Sequence, residues 1–235
     1  MMIFCKYRPL EVFDLSKLCY KKNSKIEKNL NFIIDPIKNK KVIDILVNDR
    51  LYAADFTEFN DVYECAFYHN GLNDKVLEYI YNKKLDYKNK YICCFSHKNN
   101  KLEENLMWAH YANGHRGIRI DFNIKLDDID RIKKKINYEK NFSYFDENLK
   151  IDDNLEKIMT TKLNMWEYEQ EYRIISNNKY IDINIESITI GKGFYRNYHS
   201  KKDDLKNLVY SLKAIKPNVK IKIYENKYEN NEIII

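Results

Sequence analysis

Glycine and proline are scarce, with five and three residues in a chain of 235. This excludes collagen-like and linker-rich architectures, which need both in quantity. Cysteine is sparse and odd in number, at Cys5, Cys19, Cys65, Cys93 and Cys94, and no two of them form a C-x-x-C pair. A disulfide framework and a zinc knuckle are thereby disfavoured, and a reducing cytoplasm is the expected setting. No apolar run approaches the ~20 residues of a membrane-spanning helix. The N-terminus also lacks a signal peptide's basic start followed by an apolar core, so no membrane partner is expected. G-x-x-x-x-G-K-S/T, G-x-G-x-x-G and H-E-x-x-H are all absent, which leaves P-loop, Rossmann and zincin chemistry without a motif.

Hydrophobic residues make up 44% of the chain and aromatics 14%, including 20 tyrosines, which suffices for a sizeable core. The net charge of +6 is modest and both signs are mixed. The local basic clusters at 38–41 and 131–135 read as solvated faces. Short strands are predicted at 3–8, 50–54, 91–95, 117–122, 135–138, 171–175, 188–190 and 219–224. Helices are predicted at 10–21, 42–46, 74–84, 103–112 (with Gly114 as C-cap), 155–165 and 203–214. The strand at 117–122 alternates Ile118, Ile120 and Phe122 with Arg119 and Asp121, the pattern of a half-buried strand. Helices interrupting many short strands imply an α+β fold of mixed and antiparallel strands. We expect a single domain over residues 1–227, with 22–39 as an insertion and 228–235 as a tail.

The densest chemistry lies in Trp166-Glu167-Tyr168-Glu169-Gln170-Glu171-Tyr172-Arg173. On a strand, Glu167, Glu169, Glu171 and Arg173 share one face. Acids stacked in this way repel unless a cation, a proton or a cationic transition state lies between them. The competing reading is a helix carrying a surface Glu169–Arg173 pair at i,i+4. A strand opening near Gln170 fits Tyr172, Ile174 and Ile175 better. Three other groups stand out. They are Lys6-Tyr7-Arg8 on the first strand, Phe95-Ser96 followed by Trp108, His110 and Tyr111, and the Asn60-Asp61 turn leading to Glu64. An arginine near a strand end suits a phosphate or carboxylate. Each of the others has a structural alternative: core packing for Trp108 and Tyr111, a carbonyl cap for His110, and turn chemistry for Asn60-Asp61.

Taken in order, K-Y-R, L-Y-A-A-D, F-N-D-V-Y-E, C-F-S, M-W-A-H-Y-A-N-G-H-R-G-I-R-I-D-F and W-E-Y-E-Q-E-Y-R-I resemble the bacterial domain-of-unknown-function family 2971. The resemblance runs from Lys6 to about Gly191. M-W-x-H-Y and W-x-Y-E-x-E-Y-R are its most specific blocks. Val62 departs from the pattern, which has proline there. That family carries no assigned activity. More distantly, the order of strand arginine, strand-end serine and E-x-E resembles ADP-ribosyltransferases of the Arg-Ser-Glu type.

This second resemblance implies an enzyme that cleaves the nicotinamide–ribose bond of NAD+, by transfer of ADP-ribose to a protein or nucleic-acid acceptor or by hydrolysis. It has the style of a bacterial toxin or phage-defence effector. NAD+ is then the substrate, and no metal is expected. Glu171 would stabilise the oxocarbenium-like ribosyl cation, and Glu169 would orient or deprotonate the nucleophile. Arg8 would grip the pyrophosphate side, and Ser96 would position Glu171 or the ribose. Tyr7, Tyr52, Trp108 and Tyr111 are the candidate ring-stacking residues, with His110 as an accessory. Two alternatives stand beside this. One is a metal-dependent nuclease using Asp61, Glu64, Glu169 and Glu171. The other is a non-catalytic nucleotide- or nucleic-acid-binding module.

Overall fold

The structure, a computed structural model, describes residues 3–12, 34–55, 58–59, 63–86, 91–97, 104–125, 133–194 and 202–224. Its elements run β1 (Phe4–Pro9), α1 (Lys40–Asn48), β2 (Arg50–Tyr52), β3 (Ala54–Asp55), β4 (Phe67–Tyr68), α2 (Asp74–Asp86), β5 (Tyr91–His97), α3 (Glu104–Tyr111) and β6 (Gly117–Ile124). Then follow β7 (Lys133–Lys135), β8 (Asn137–Glu139), β9 (Ser143–Tyr144), α4 (Ile151–Met159), β10 (Thr161–Leu163), β11 (Glu171–Ser176), β12 (Tyr180–Ile190), α5 (Lys202–Ile215) and β13 (Lys220–Ile223). The fold is α+β with largely antiparallel pairing, as the interleaved patterns predict. Two compact units form, one from Met1–Arg50, Lys98–Asn123 and Ile183–Ile235, the other from Leu51–His97 and Ile124–Asp182.

The first unit orders its strands β13-β12-β6-β1. β1 lies antiparallel to β6, with Phe4 opposite Phe122 and Pro9 opposite Gly117. Glycine is needed at 117, because a Cβ there would sit 2.2 Å from the Arg8 carbonyl oxygen. α1 buries Val42, Ile45 and Leu46, at i, i+3 and i+4, and α5 buries Leu208, Val209 and Leu212, where Leu212 lies four and three residues on from the other two; each set shares one helical face. Burying each such side chain stabilises by about 1.5–3 kcal/mol before entropy is counted. β6 differs from the half-buried strand expected. Ile118, Ile120 and Phe122 are fully buried, but Arg119, Asp121 and Asn123 on the opposite face are buried too. Ion pairing inside the unit, described below, replaces the solvent those polar groups would otherwise require.

In the second unit, β11 runs antiparallel to β5 on one side and to β7 on the other, pairing Glu171 with Ser96 and Tyr172 with Lys135. β3 adds to β5, while β8 and β10, and β4 and β9, form parallel pairs. Cys65, Ile80, Ile92, Phe145, Leu155, Ile158 and Met159 make the core. The helix expected over 155–165 starts four residues earlier and stops at Met159. Its end follows from chemistry: the Thr160 hydroxyl donates back to the Glu156 carbonyl at 2.8 Å, and two β-branched threonines then favour a strand. Asn154 anchors the start, its side chain bonding the backbone of Asp146 at 2.8 Å in both directions. The strand expected at 135–138 is two short strands divided at Ile136, and that at 188–190 is the end of a much longer β12. β5 runs one residue past Ser96, to His97.

The expected 10–21 helix shows no helical structure at Leu10–Val12 and otherwise lies outside the described residues. So do most of the 22–39 insertion, the 228–235 tail and the Asn60-Asp61 turn.

Candidate active site

The Glu-rich motif is neither a continuous strand nor a helix. Asn164–Glu169 is a 3-10 helix, Gln170 is left-handed at φ 43°, and β11 opens at Glu171. A 3-10 run of six residues is long for the type and marks local constraint. The Gln170 turn is held by its backbone N–H and its side-chain amide, both donating to the Glu167 carbonyl, at 3.1 and 2.9 Å. Strand alternation fails before Glu171, and Glu167 stays in solvent. The turn nevertheless returns the Glu169 carboxylate to the side of Glu171.

Both carboxylates meet at a lysine. Lys162 Nζ lies 2.8 Å from Glu169 Oε2 and 2.7 Å from Glu171 Oε2, and 4.0 Å from Glu64 Oε2. Arg173, two residues along β11 and fully buried, completes the cluster. Its Nε donates to Glu171 Oε1 at 2.7 Å, and Nη1 donates to the Met159 carbonyl at 2.6 Å. Nη2 stands 2.7 Å from Glu64 Oε1, and the Phe59 ring covers the guanidinium at 5.6 Å. The contact with Met159 places a cation at the C-terminal end of α4, where unpaired carbonyls and the helix dipole favour one. The Glu171 backbone N–H donates to the Tyr138 hydroxyl at 2.8 Å, bringing β8 into the same site.

The electrostatics follow from these contacts. Burial alone raises the Glu171 pKa, but Arg173 and Lys162 overcome it and hold the carboxyl well below the usual range. Burial disfavours charge on Lys162, yet Glu171, Glu169 and Glu64 push its pKa above the ordinary lysine value. Arg173 is raised in the same way by Glu171. Burial pushes up the Tyr138 hydroxyl, and that of Tyr168 to about 12. With the five charged groups ionised, three carboxylates face two cations, and one negative charge is left over.

A cleft opens at this cluster. Its lining includes Glu64 and Lys162 together with Tyr63, Phe142, Ser143 and Trp166. It is shallow, with a cavity of about 20 Å³, room for about one water molecule. The Tyr63 and Phe142 rings stand 5.5 Å apart, and Lys162 Nζ is 5.7 Å from the Trp166 ring centre.

The remaining predicted site residues fall as follows. Ser96 is the cross-strand partner of Glu171 and is buried. Tyr52, also in the second unit, is occupied near the surface, its hydroxyl 3.2 Å from Glu58 and its ring edge-on to Tyr180. Arg8, Tyr7, Trp108, His110 and Tyr111 belong to the first unit. There Trp108 is fully buried and packs edge-on against Tyr7 at 5.1 Å, while His110 and Tyr111 are exposed. Tyr7 and Trp108 join a second buried polar network. Glu104 receives Arg119, Tyr7 and the Trp108 indole N–H, and Arg119 Nε donates to Asp121 Oδ1 at 2.7 Å. Arg119 Nη2 reaches Thr189, and Ser187 donates to Asp121 at 3.0 Å. Burial raises the Tyr7 hydroxyl far above its ordinary value.

Sequence reasoning did not single out Lys162, Tyr138 or Ser143. The stacked acids called for a cation, a proton or a cationic transition state between them, and Lys162 was hidden in residues 155–165, which read as a helix.

Residues 107–174 match the family described as "Protein of unknown function (DUF2971)". The matched stretch is narrower than the expected Lys6–Gly191 span. It starts at Met107 of M-W-A-H-Y and ends just past Arg173, so the two most specific blocks are its two ends. It takes in Lys162, Glu169, Glu171 and Arg173. No curated protein and no solved structure matches the chain. Among the described residues no helix is long and apolar enough to cross a membrane, and no group of three or more His, Cys, Asp or Glu is arranged to hold a metal ion.

Proposed function

We propose that the second unit carries an NAD+-cleaving site, with Glu171 and Glu169 as its working carboxylates. The observation that supports this most is the charge imbalance of the buried cluster, three carboxylates against two cations, of which Glu64 and Lys162 line an aromatic-walled cleft. A buried surplus of negative charge stabilises a ligand or transition state that carries positive charge. NAD+ supplies both, through its pyridinium ring and the oxocarbenium-like ribosyl cation formed when the glycosidic bond breaks.

In this reading Glu171 is kept ionised by Arg173 and Lys162 and faces the developing cation. Glu169, held by one carboxylate oxygen on Lys162, orients the attacking water or acceptor hydroxyl. Lys162 and Arg173 are positioning residues that hold the two acids side by side. Ser96, opposite Glu171, fixes the strand on which the reacting carboxylate sits.

Two measurements test the proposal. Calorimetric titration should show NAD+ binding more tightly than NADH, whose reduced ring is neutral. Nicotinamide release from NAD+ should fall at least a hundredfold in Glu171→Gln, within the range lost with a single stabilising group. Equal affinity for the two dinucleotides, together with unchanged turnover in a folded Glu171→Gln protein, would remove the basis of the proposal.

A further inference from the structure

The three carboxylates of the cluster are not equally engaged. Glu171 gives both oxygens to cations, Oε1 to Arg173 and Oε2 to Lys162, and Glu169 accepts from Lys162 through Oε2. Glu64 differs. Its side chain is 7% exposed, yet it makes no hydrogen bond to a described residue. Oε1 is close to Arg173 without aligned geometry, and Oε2 stands 4.0 Å from Lys162 Nζ, beyond direct hydrogen-bonding distance. Lys162 has three N–H donors, of which Glu169 and Glu171 engage two. Both Lys162 and Glu64 line the cleft, and its cavity of about 20 Å³ takes about one water. A water hydrogen-bonded at ~2.8 Å to each of two atoms 4.0 Å apart spans this gap. A small site with a charged donor and a charged acceptor holds water, whereas only apolar cavities stay dry.

We infer that one water bridges Lys162 and Glu64 in this cleft and is the nucleophile of the reaction, which makes the chain a hydrolase rather than a transferase. The water's role as nucleophile rests on the proposed NAD+ reading; the water site stands on the cleft itself. In the step, the bond between ribose C1′ and the pyridinium nitrogen breaks, and its electron pair leaves with neutral nicotinamide. The water oxygen bonds to C1′, its proton passes to the Glu64 carboxylate and then to solvent, and ADP-ribose is the product. Glu171, with both oxygens on cations, serves as a fixed charge for the ribosyl cation. Glu169 orients the water through Lys162, and Glu64 becomes a third working carboxylate, the general base. An acceptor side chain brings its nucleophilic atom on a stem of further heavy atoms, and a cavity of one water's size excludes it. The same limit excludes methanol.

The test gives the full chain NAD+ in water–methanol mixtures and separates the products by chromatography. ADP-ribose should dominate, with methyl ADP-ribose about tenfold or more below its share by solvent composition, the discrimination a tight site makes against one extra carbon. Glu64→Asp, one methylene shorter, should raise the methanol share. Glu64→Gln keeps the volume and an oxygen that accepts from water but takes no proton. It should lower kcat about a hundredfold, the lower end for a lost general base, and leave KM within about twofold. The methanol partition is read on the native protein, so it decides even where a variant fails to fold. Three results would overturn the inference alone, given Glu171-dependent cleavage: methyl ADP-ribose at its solvent share, ADP-ribose carried mainly onto an acceptor in cell extract, or kcat unmoved by Glu64→Gln. No nicotinamide release by the native protein would refute the enzymatic reading and, with it, the nucleophile. A high-resolution crystal structure then judges the water site by itself. Density for a water within about 3.2 Å of both Lys162 Nζ and Glu64 Oε2 upholds the site, and its absence overturns it.

Discussion

Replacing Lys162 with methionine removes the cation between two buried carboxylates while keeping most of the side chain's volume. In the native protein Lys162 Nζ bonds Glu169 at 2.8 Å and Glu171 at 2.7 Å, with the lysine side chain 13% exposed and each carboxylate 5% exposed. A pair of unit charges near 4 Å in partly screened protein interacts by about 4 kcal/mol. Breaking a buried pair from one side costs about 3–5 kcal/mol, because the remaining charge is left uncompensated. Against a typical stability of about 5–15 kcal/mol, this is a large fraction. The pH dependence carries the sign. Glu171 has a lowered folded pKa, so its contribution is present above the ordinary glutamate value and is lost as pH falls through the folded value. Lys162, with a raised pKa, stays charged throughout that window. In Lys162→Met the two acids repel, and Glu169 gains from protonation as pH falls.

Urea unfolding followed by circular dichroism at pH 7.5 and 4.5 should therefore show a deficit of about 3–5 kcal/mol at the higher pH and a smaller one at the lower. Adding Glu171→Gln should recover part of the loss at pH 7.5, since it removes one of the opposed charges. A deficit below about 0.5 kcal/mol at pH 7.5, in the range of an exposed pair, or one that grows toward pH 4.5, would refute the argument.

Other substitutions probe the supporting structure. Gln170→Gly should be neutral or stabilising by a few tenths of a kcal/mol, as glycine accepts φ 43° freely, whereas Gln170→Val should destabilise by ~1–2 kcal/mol; thermal melts decide. Gly191→Ala should lower the unfolding temperature by several degrees and shift Trp108 fluorescence. Its Cβ would lie 2.3 Å from the His115 carbonyl oxygen and 2.8 Å from the indole ring. Glu104→Ala leaves Arg119, in the buried network of the first unit, with one carboxylate partner fewer. It should cost about 3–5 kcal/mol in urea unfolding, and a loss under 1 kcal/mol would show that the network matters little.

The α+β class and most of the elements could be read from the apolar pattern, because β6, α1 and α5 each carry an apolar face and β5 is a short apolar run. The Glu-rich motif is readable in outline: its strand begins at Glu171, and two of its three acids, Glu169 and Glu171, share a cation. The route to that arrangement is not. A left-handed Gln170 and a 3-10 turn are set by hydrogen bonds to the Glu167 carbonyl that no period announces. Lys162 lay hidden in what looked like the end of a helix. Arg119 and Asp121 alternate like a solvated face, yet both are buried, because Glu104 from α3 supplies a partner distant in sequence. Such pairing across the chain has no local signature.

We propose that Glu171, in its ionised cluster, drives the cleavage of NAD+. Nicotinamide release from NAD+ by the purified chain, alone and with cell extract as acceptor, set beside Glu171→Gln, tests it most directly. Release by the native protein under at least one condition, and its loss in the variant, is the expected outcome. No release under either condition, or equal release by both proteins, would contradict it.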